Sequence, residues 1–226
     1  MKSSGVWVNR LVLALFLSAA LGAAVPKQAQ ANQMYEPMAD HVKLALATAL
    51  RDSGAVNPIF DSAEHRIDWL SEMSARLQRK VPDFNERYNL IKLVRYEAQR
   101  AGLDPQLVFS VIEVESGFQP EAKSPVGAIG LMQIMPFWTK VLSTGQANQL
   151  FDARINIRYG CLILRHYLEI ERGNLFRALG RYNGSLGKNT YPDKIMERYY
   201  GRWAYLSPDQ KRKGNVLQVS NSGYPK

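Results

Sequence analysis

The sequence predicts a mainly α protein, on three observations. Apolar residues recur at three- and four-residue spacing through most of the chain after residue 40. Capping residues and glycines bracket those stretches, and no sustained alternation of apolar and polar residues marks a substantial sheet. Val42, Leu46, Ala49 and Leu50 share one helical face, ended by Ser53-Gly54, and Ile67, Leu70, Met73 and Leu77 form a second. After Pro82, Asp83 with Glu86 three residues on is a capping-box-like start for a helix through Ile91, Val94 and Ala98, stopped at Gly102. Asp104-Pro105 opens the next helix, because proline's missing N–H costs nothing in a first turn. Asp152 opens a long helix to about Glu171, closed by Gly173; Asn174 opens a shorter one ending at Asn183-Gly184. Residues 185–190 read as a loop, and Pro192 to Trp203 as the last helix.

The 226 residues suffice for one ordinary core with an appendage. Residues 1–31 read as a secretory signal peptide: Lys2 and Arg10 precede the apolar Leu11–Ala24, and Ala29-Gln30-Ala31 is a small-x-small cleavage site. The apolar run is shorter than the ~20 residues a spanning helix needs, so the expectation is an exported, periplasmic protein not stably inserted in the membrane. The divisions expected are 1–31 signal peptide, 32–81 N-terminal helical extension, 82–203 main domain and 204–226 mobile basic tail. The formal net charge is +9, and loss of Lys2, Arg10 and Lys27 leaves 9 − 3 = +6. That balance favours an anionic partner, and export makes nucleic acid the poorest of these. Cys161 is the single cysteine, so no intramolecular disulfide forms; it lies in an apolar run and reads as a small core residue.

The chemistry-bearing stretch is Glu115-Ser116-Gly117-Phe118, followed by Ser124-Pro125-Val126-Gly127-Ala128 and Gly130-Leu131-Met132-Gln133-Ile134-Met135-Pro136. At about 100° per residue, Glu115 falls on the stripe of Val108, Val111 and Ile112, whereas Glu113 points about 140° away from Val108. A carboxyl on a core-facing stripe is desolvated, which favours its neutral form and suits a general acid. Ser116-Gly117 ends the helix there, placing Glu115 at the lip of a loop. Glycoside cleavage usually needs a second carboxylate, and neither Glu113, on the wrong face, nor Glu121, in a Pro-flanked loop, is a clear one; Asp152 is a distant alternative. A site with one carboxylate works if the substrate supplies the missing group.

These motifs resemble those of the soluble lytic transglycosylases, whose domain is lysozyme-like of the goose type. The resemblance covers about residues 88 to 203 and includes Asn156-Ile157-Arg158-Tyr159-Gly160 and Tyr182-Asn183. It implies a lone Glu, matching Glu115, that protonates the glycosidic oxygen between N-acetylmuramic acid and N-acetylglucosamine. The same carboxylate then takes a proton from the sugar's own C6 hydroxyl, so that a 1,6-anhydro end forms without water. Ser124, Gln133, Met135, Tyr182 and Asn183 match the substrate-binding or supporting positions. Gln133 offers donors and an acceptor, and Met135 a pliable apolar wall; the Tyr182 phenol could bond Glu115, with a core tyrosine capping its own helix as the equal alternative. The family usually has Ala before Tyr-Asn and Ala-Gly after it, whereas this chain reads Gly180-Arg181-Tyr182-Asn183-Gly184-Ser185.

His41, His65 and His166 are scattered without metal-ligand spacing, and neither a metal nor a cofactor is expected. The partners expected are peptidoglycan glycan strands and cell-envelope machinery, with the protein a monomer. Two other readings stay open: a goose-type muramidase with a positioned water and a second acid, and a peptidoglycan-binding scaffold that has lost catalysis.

Overall fold

The computed structural model describes residues 38, 40–142 and 145–214; the segment read as a signal peptide lies outside them. Nine α-helices and one 3₁₀ turn account for the regular structure of the described residues: α1 (Asp40–Arg51), α2 (Ala63–Leu77), α3 (Phe84–Arg100), α4 (Pro105–Glu115), α5 (Phe137–Val141), the 3₁₀ turn Ala147–Phe151, α6 (Ala153–Ile170), α7 (Leu175–Tyr182), α8 (Thr190–Tyr200) and α9 (Pro208–Arg212). Extended pairing among them is limited to two isolated bridges, Lys123 with Ile129 and Ile129 with Ile134. The fold is mainly α, as the periodicity requires. No described helix is long and apolar enough to cross a membrane.

The caps read from the sequence act as caps. Asp83 accepts from the Glu86 N–H at 2.7 Å, Asp104 from Gln106 at 2.8 Å, Asp152 from Ile155 at 2.9 Å and Asn174 from Arg177 at 3.0 Å. Each satisfies a first-turn donor with no partner inside its helix.

A single core runs through Trp69 and Met73 of α2, Ile91 and Val94 of α3, Phe109 and Ile112 of α4, Ile157 and Leu164 of α6, Leu179 of α7, Ile195 of α8, and Trp203. α4 packs on α3 and α8, and α6 packs on α3 and α7. Packing therefore continues across residues 81 and 82, because α2 packs on α3 and brings Trp69, Met73 and Leu77 into the shared core. Residues 204–214 are the described part of the segment read as a tail. Tyr205 donates to Asp68 at 2.8 Å, Lys211 pairs with Asp68 at 3.1 Å and Glu72 at 3.3 Å, and Arg212 pairs with Glu64 at 2.8 Å. The Glu64, Asp68 and Glu72 repeat lines one face of α2 with charge that the basic tail neutralises.

The Asn-Ile-Arg-x-Gly run of α6 does structural work. Asn156 Nδ2 donates to the carbonyls of Ile129 and Leu150, both at 2.8 Å, and its Oδ1 accepts from the Met132 N–H at 2.7 Å. Arg158 makes a two-pronged bond to the buried Glu97, at 2.7 and 3.0 Å, and donates to the carbonyls of Leu50 and Asp52, fastening the end of α1. Gly160 leaves the space that Met132 fills: a Cβ there would overlap the Met132 sulfur. Gly160→Ala is thus expected to destabilise the fold by about 1–3 kcal/mol, the cost of overpacking. Denaturant unfolding should show Met132→Ala in the same chain restoring part of that loss.

Candidate active site

α4 is more enclosed than the single stripe read from its sequence: every residue from Leu107 to Ile112 is buried, and Glu115 is 3 % exposed. Glu113 leaves on another side, half-buried, where it accepts from Trp203 Nε1 at 2.8 Å and pairs with Arg202 at 3.1 Å. The chain turns sharply after Glu115. Gly117 (φ 59°) and Phe118 (φ 72°) are both left-handed, which glycine adopts freely and phenylalanine at about 1–2 kcal/mol. The Phe118 ring offsets that strain by burial against Phe109 and Trp203.

Oε1 of Glu115 accepts the Tyr191 hydroxyl at 2.6 Å, while Oε2 is buried with no hydrogen-bond partner. Burial raises the carboxyl's pKa to about 8, against the opposing pull of the Tyr191 bond. The last turn of α4 contains no basic residue, and a negative charge at a helix C-terminus opposes the macrodipole, so position also favours the protonated form. Tyr191 keeps its proton as well: burial first, then the charges of Glu115 and Tyr182 beside it, push its phenol well above the ordinary range.

The sequence leaves Tyr182 as either a bond to Glu115 or a core tyrosine, and in the structure it is fully buried and turned to another acceptor. The Tyr182 hydroxyl donates its one proton to the Met132 carbonyl at 2.7 Å. Tyr191, which the sequence reading passes over, bonds Glu115 instead. Its signal was present: Pro192 is tolerated anywhere in a first helical turn, so α8 can begin before it, and it begins at Thr190. That start places Tyr191 in the helix that packs on α4.

Of the other expected site residues, Ser124 and Gln133 lie in one loop, which Tyr182 reaches from α7. Ser124 and Ala128 exchange two bonds: the Ser124 N–H donates to the Ala128 carbonyl at 2.9 Å, and Ser124 Oγ accepts from the Ala128 N–H at 3.0 Å. Gln133, left-handed at φ 50° and buried, donates Nε2 to the carbonyls of Gly130 at 2.9 Å and Ala122 at 3.2 Å. Gly130 (φ 77°) must be glycine, since a Cβ would strike Asn156 and the Leu150 carbonyl. Met135 is partly buried against the core, and Asn183 closes α7, its N–H bonded to the Leu179 carbonyl at 3.1 Å. Ser124, Gln133 and Tyr182 therefore shape the loop from 122 to 133, a role their polarity alone did not disclose. The acids considered as partners of Glu115 are placed elsewhere: Glu113 with Arg202 and Trp203, Asp152 at the start of α6, and Glu121 exposed.

Residues 92–198 match the model of the transglycosylase SLT domain. Among curated proteins, the chain is 37 % identical over 102 residues to the transglycosylase of Enterobacteria phage PRD1, covering 42 % of this chain and 37 % of that protein. It is 48 % identical over 132 residues to the membrane-bound lytic murein transglycosylase C of Glaesserella parasuis, covering 57 % of this chain and 32 % of that protein. A solved structure of the lytic transglycosylase Slt from Pseudomonas aeruginosa aligns with a TM-score of 0.44 at 23 % identity, over 54 % of this chain and 24 % of that one. The chain spans about a third of the length of these curated relatives. Residues 92–198, a little under half of the chain, are thus similar to the transglycosylase SLT domain.

Two outcomes follow from the geometry. An acid whose pKa is raised on folding, here from 4.5 to about 8, binds its proton more tightly in the folded state. Its contribution to stability is therefore lost as pH rises through that interval. Glu115→Gln cannot ionise, so its stability relative to wild type should grow by about a kcal/mol per pH unit across the interval and level off outside it, as read by urea unfolding at stepped pH. Tyr191→Phe removes the one hydrogen bond that lowers the Glu115 pKa, so NMR titration of that carboxyl should show it moving further up.

Proposed function

We propose that this protein is an exported peptidoglycan lytic transglycosylase with Glu115 as general acid and then general base. The observation that carries the reading is a single desolvated carboxyl, held protonated near neutral pH, with one oxygen on Tyr191 and the other without a partner. In this reading Glu115 gives its proton to the oxygen linking C1 of N-acetylmuramic acid to O4 of N-acetylglucosamine, and the C1–O bond breaks. The 2-acetamido group of the muramyl residue stabilises the cation at C1, doing the work a second carboxylate does in hydrolysis. The C6 hydroxyl of the same sugar attacks C1, its proton returns to Glu115, and the 1,6-anhydro ring closes with no water consumed. Tyr191 fits this cycle because it stabilises the carboxylate formed midway without surrendering its own proton.

The match of residues 92–198 to the SLT domain supports this reading, as does the engagement of Glu113 and Asp152 elsewhere. The loop from 122 to 133 and Met135 would hold the glycan, with peptidoglycan strands as the partner and the periplasm as the place of action. The test is digestion of purified peptidoglycan by residues 32–226, beside Glu115→Gln, with released muropeptides identified by mass spectrometry. Anhydro-muramyl ends from wild type and a loss of about 10³-fold or more in the variant are expected of a residue acting in both proton transfers. Reducing ends would instead indicate a hydrolase with a positioned water, and binding without product a scaffold.

A further inference from the structure

We infer that Trp203, which lies beyond the matched family region, is a positioning residue that holds the end of α4 and so fixes where Glu115 presents its carboxyl. The inference rests on the reading of Glu115 as the reacting group. Trp203 is fully buried and touches α4 at two levels and the turn that follows it. Its ring stacks on Phe109 at 4.8 Å and 14°, its Nε1 donates to Glu113 at 2.8 Å, and its edge leans on Phe118 at 5.6 Å. Phe109 and Glu113 are four residues apart and share a face; Phe118 is the left-handed residue that turns the chain away after Glu115. One side chain thus grips the helix before, beside and after the reacting carboxyl.

Tyr191 holds the other side. Glu113 and Glu115 are two residues apart, about 200° around the helix, so Trp203 and Tyr191 act from opposite faces. Both belong to one stretch of chain: Tyr191 lies in the first turn of α8, and Trp203 follows its end, where the Trp203 N–H donates to the Arg198 carbonyl at 2.8 Å. The Trp203 end is itself tied to α2. Arg202 donates to the Arg76 carbonyl at 2.8 Å, Arg76 to the Ala204 carbonyl at 2.7 Å, and Tyr205 to Asp68 at 2.8 Å. The strained Phe118 turn persists because its ring has a slot against Trp203; without that slot the turn relaxes and water reaches Glu115.

The test is to titrate Glu115 by carboxyl carbon-13 NMR in the full chain, in wild type, Trp203→Phe, Trp203→Leu and Phe118→Gly, with circular dichroism checking each fold. Phe118→Gly removes the ring while easing the backbone, so it remains informative if Trp203→Leu fails to fold. Wild type and Trp203→Phe should titrate near pH 8. Trp203→Leu and Phe118→Gly should titrate lower, toward the ordinary glutamate range, with kcat on peptidoglycan down about tenfold or more and KM within about twofold. An unchanged titration in folded Phe118→Gly or Trp203→Leu would overturn the inference and leave Trp203 a core residue. If wild type releases no anhydro ends while the titrations shift as expected, the proposed reaction fails and the positioning role stands.

Discussion

The desolvated carboxyl of Glu115 is the constraint around which the rest of this molecule is arranged. An ionisable group is costly to bury, and the usual compensation is a counter-charge or a full set of hydrogen bonds. Glu115 has one hydrogen bond, and no described charge partner shifts its ionisation. The group therefore keeps its proton, so it can act as a general acid at a pH where a surface glutamate has already ionised. The C-terminal end of α4 reinforces this, since the backbone carbonyls there disfavour a nearby anion.

Holding such a group requires rigid surroundings, because any path for water would restore the ordinary ionisation. The surroundings come from elements far apart in the chain. Asn156 uses both ends of its amide to fix the backbone at Ile129, Met132 and Leu150, and Tyr182 reaches the Met132 carbonyl from α7. Gly160 lets the Met132 side chain sit flush against α6. The loop beyond Glu115 is thus held by α6 and α7, while Trp203 and Tyr191 hold the helix before it. The buried Arg158–Glu97 pair extends the same scaffold to α1; a bidentate pair with backbone acceptors besides is the arrangement that makes burial of two charges tolerable.

The N- and C-terminal flanks of the matched domain contribute to the same unit. α2 supplies Trp69 and Met73 to the shared core and an acidic face to which residues 205–212 attach. Exposed pairs of this kind are individually worth little. Their arrangement along one helix face nevertheless determines where the chain after Trp203 can lie, and it returns that segment to α2.

Most of the helices were legible in the sequence because their signals are local: Asp83, Asp104, Asp152 and Asn174 cap the helices they precede, and a 3.6-residue period survives whatever the partner helix is. The burial of Glu115 was legible for the same reason, as an acid on an apolar stripe just before a glycine break. α9 was passed over although its local signal, the Ser207–Gln210 capping box with Pro208 in the first turn, is present; what the sequence does not show is its pairing with the charges of α2, more than a hundred residues earlier. Nor was the loop-shaping role of Ser124 and Gln133 legible, since polar side chains that bond backbone carbonyls and those that face a ligand have the same composition. By itself the sequence determined the α class, the caps and the odd acid, which depend on residues within a turn or two of one another. Only the tertiary structure decided that Tyr191 rather than Tyr182 bonds that acid and that Trp203 clamps its helix, because a hydrogen bond between residues 76 positions apart is set by how helices pack.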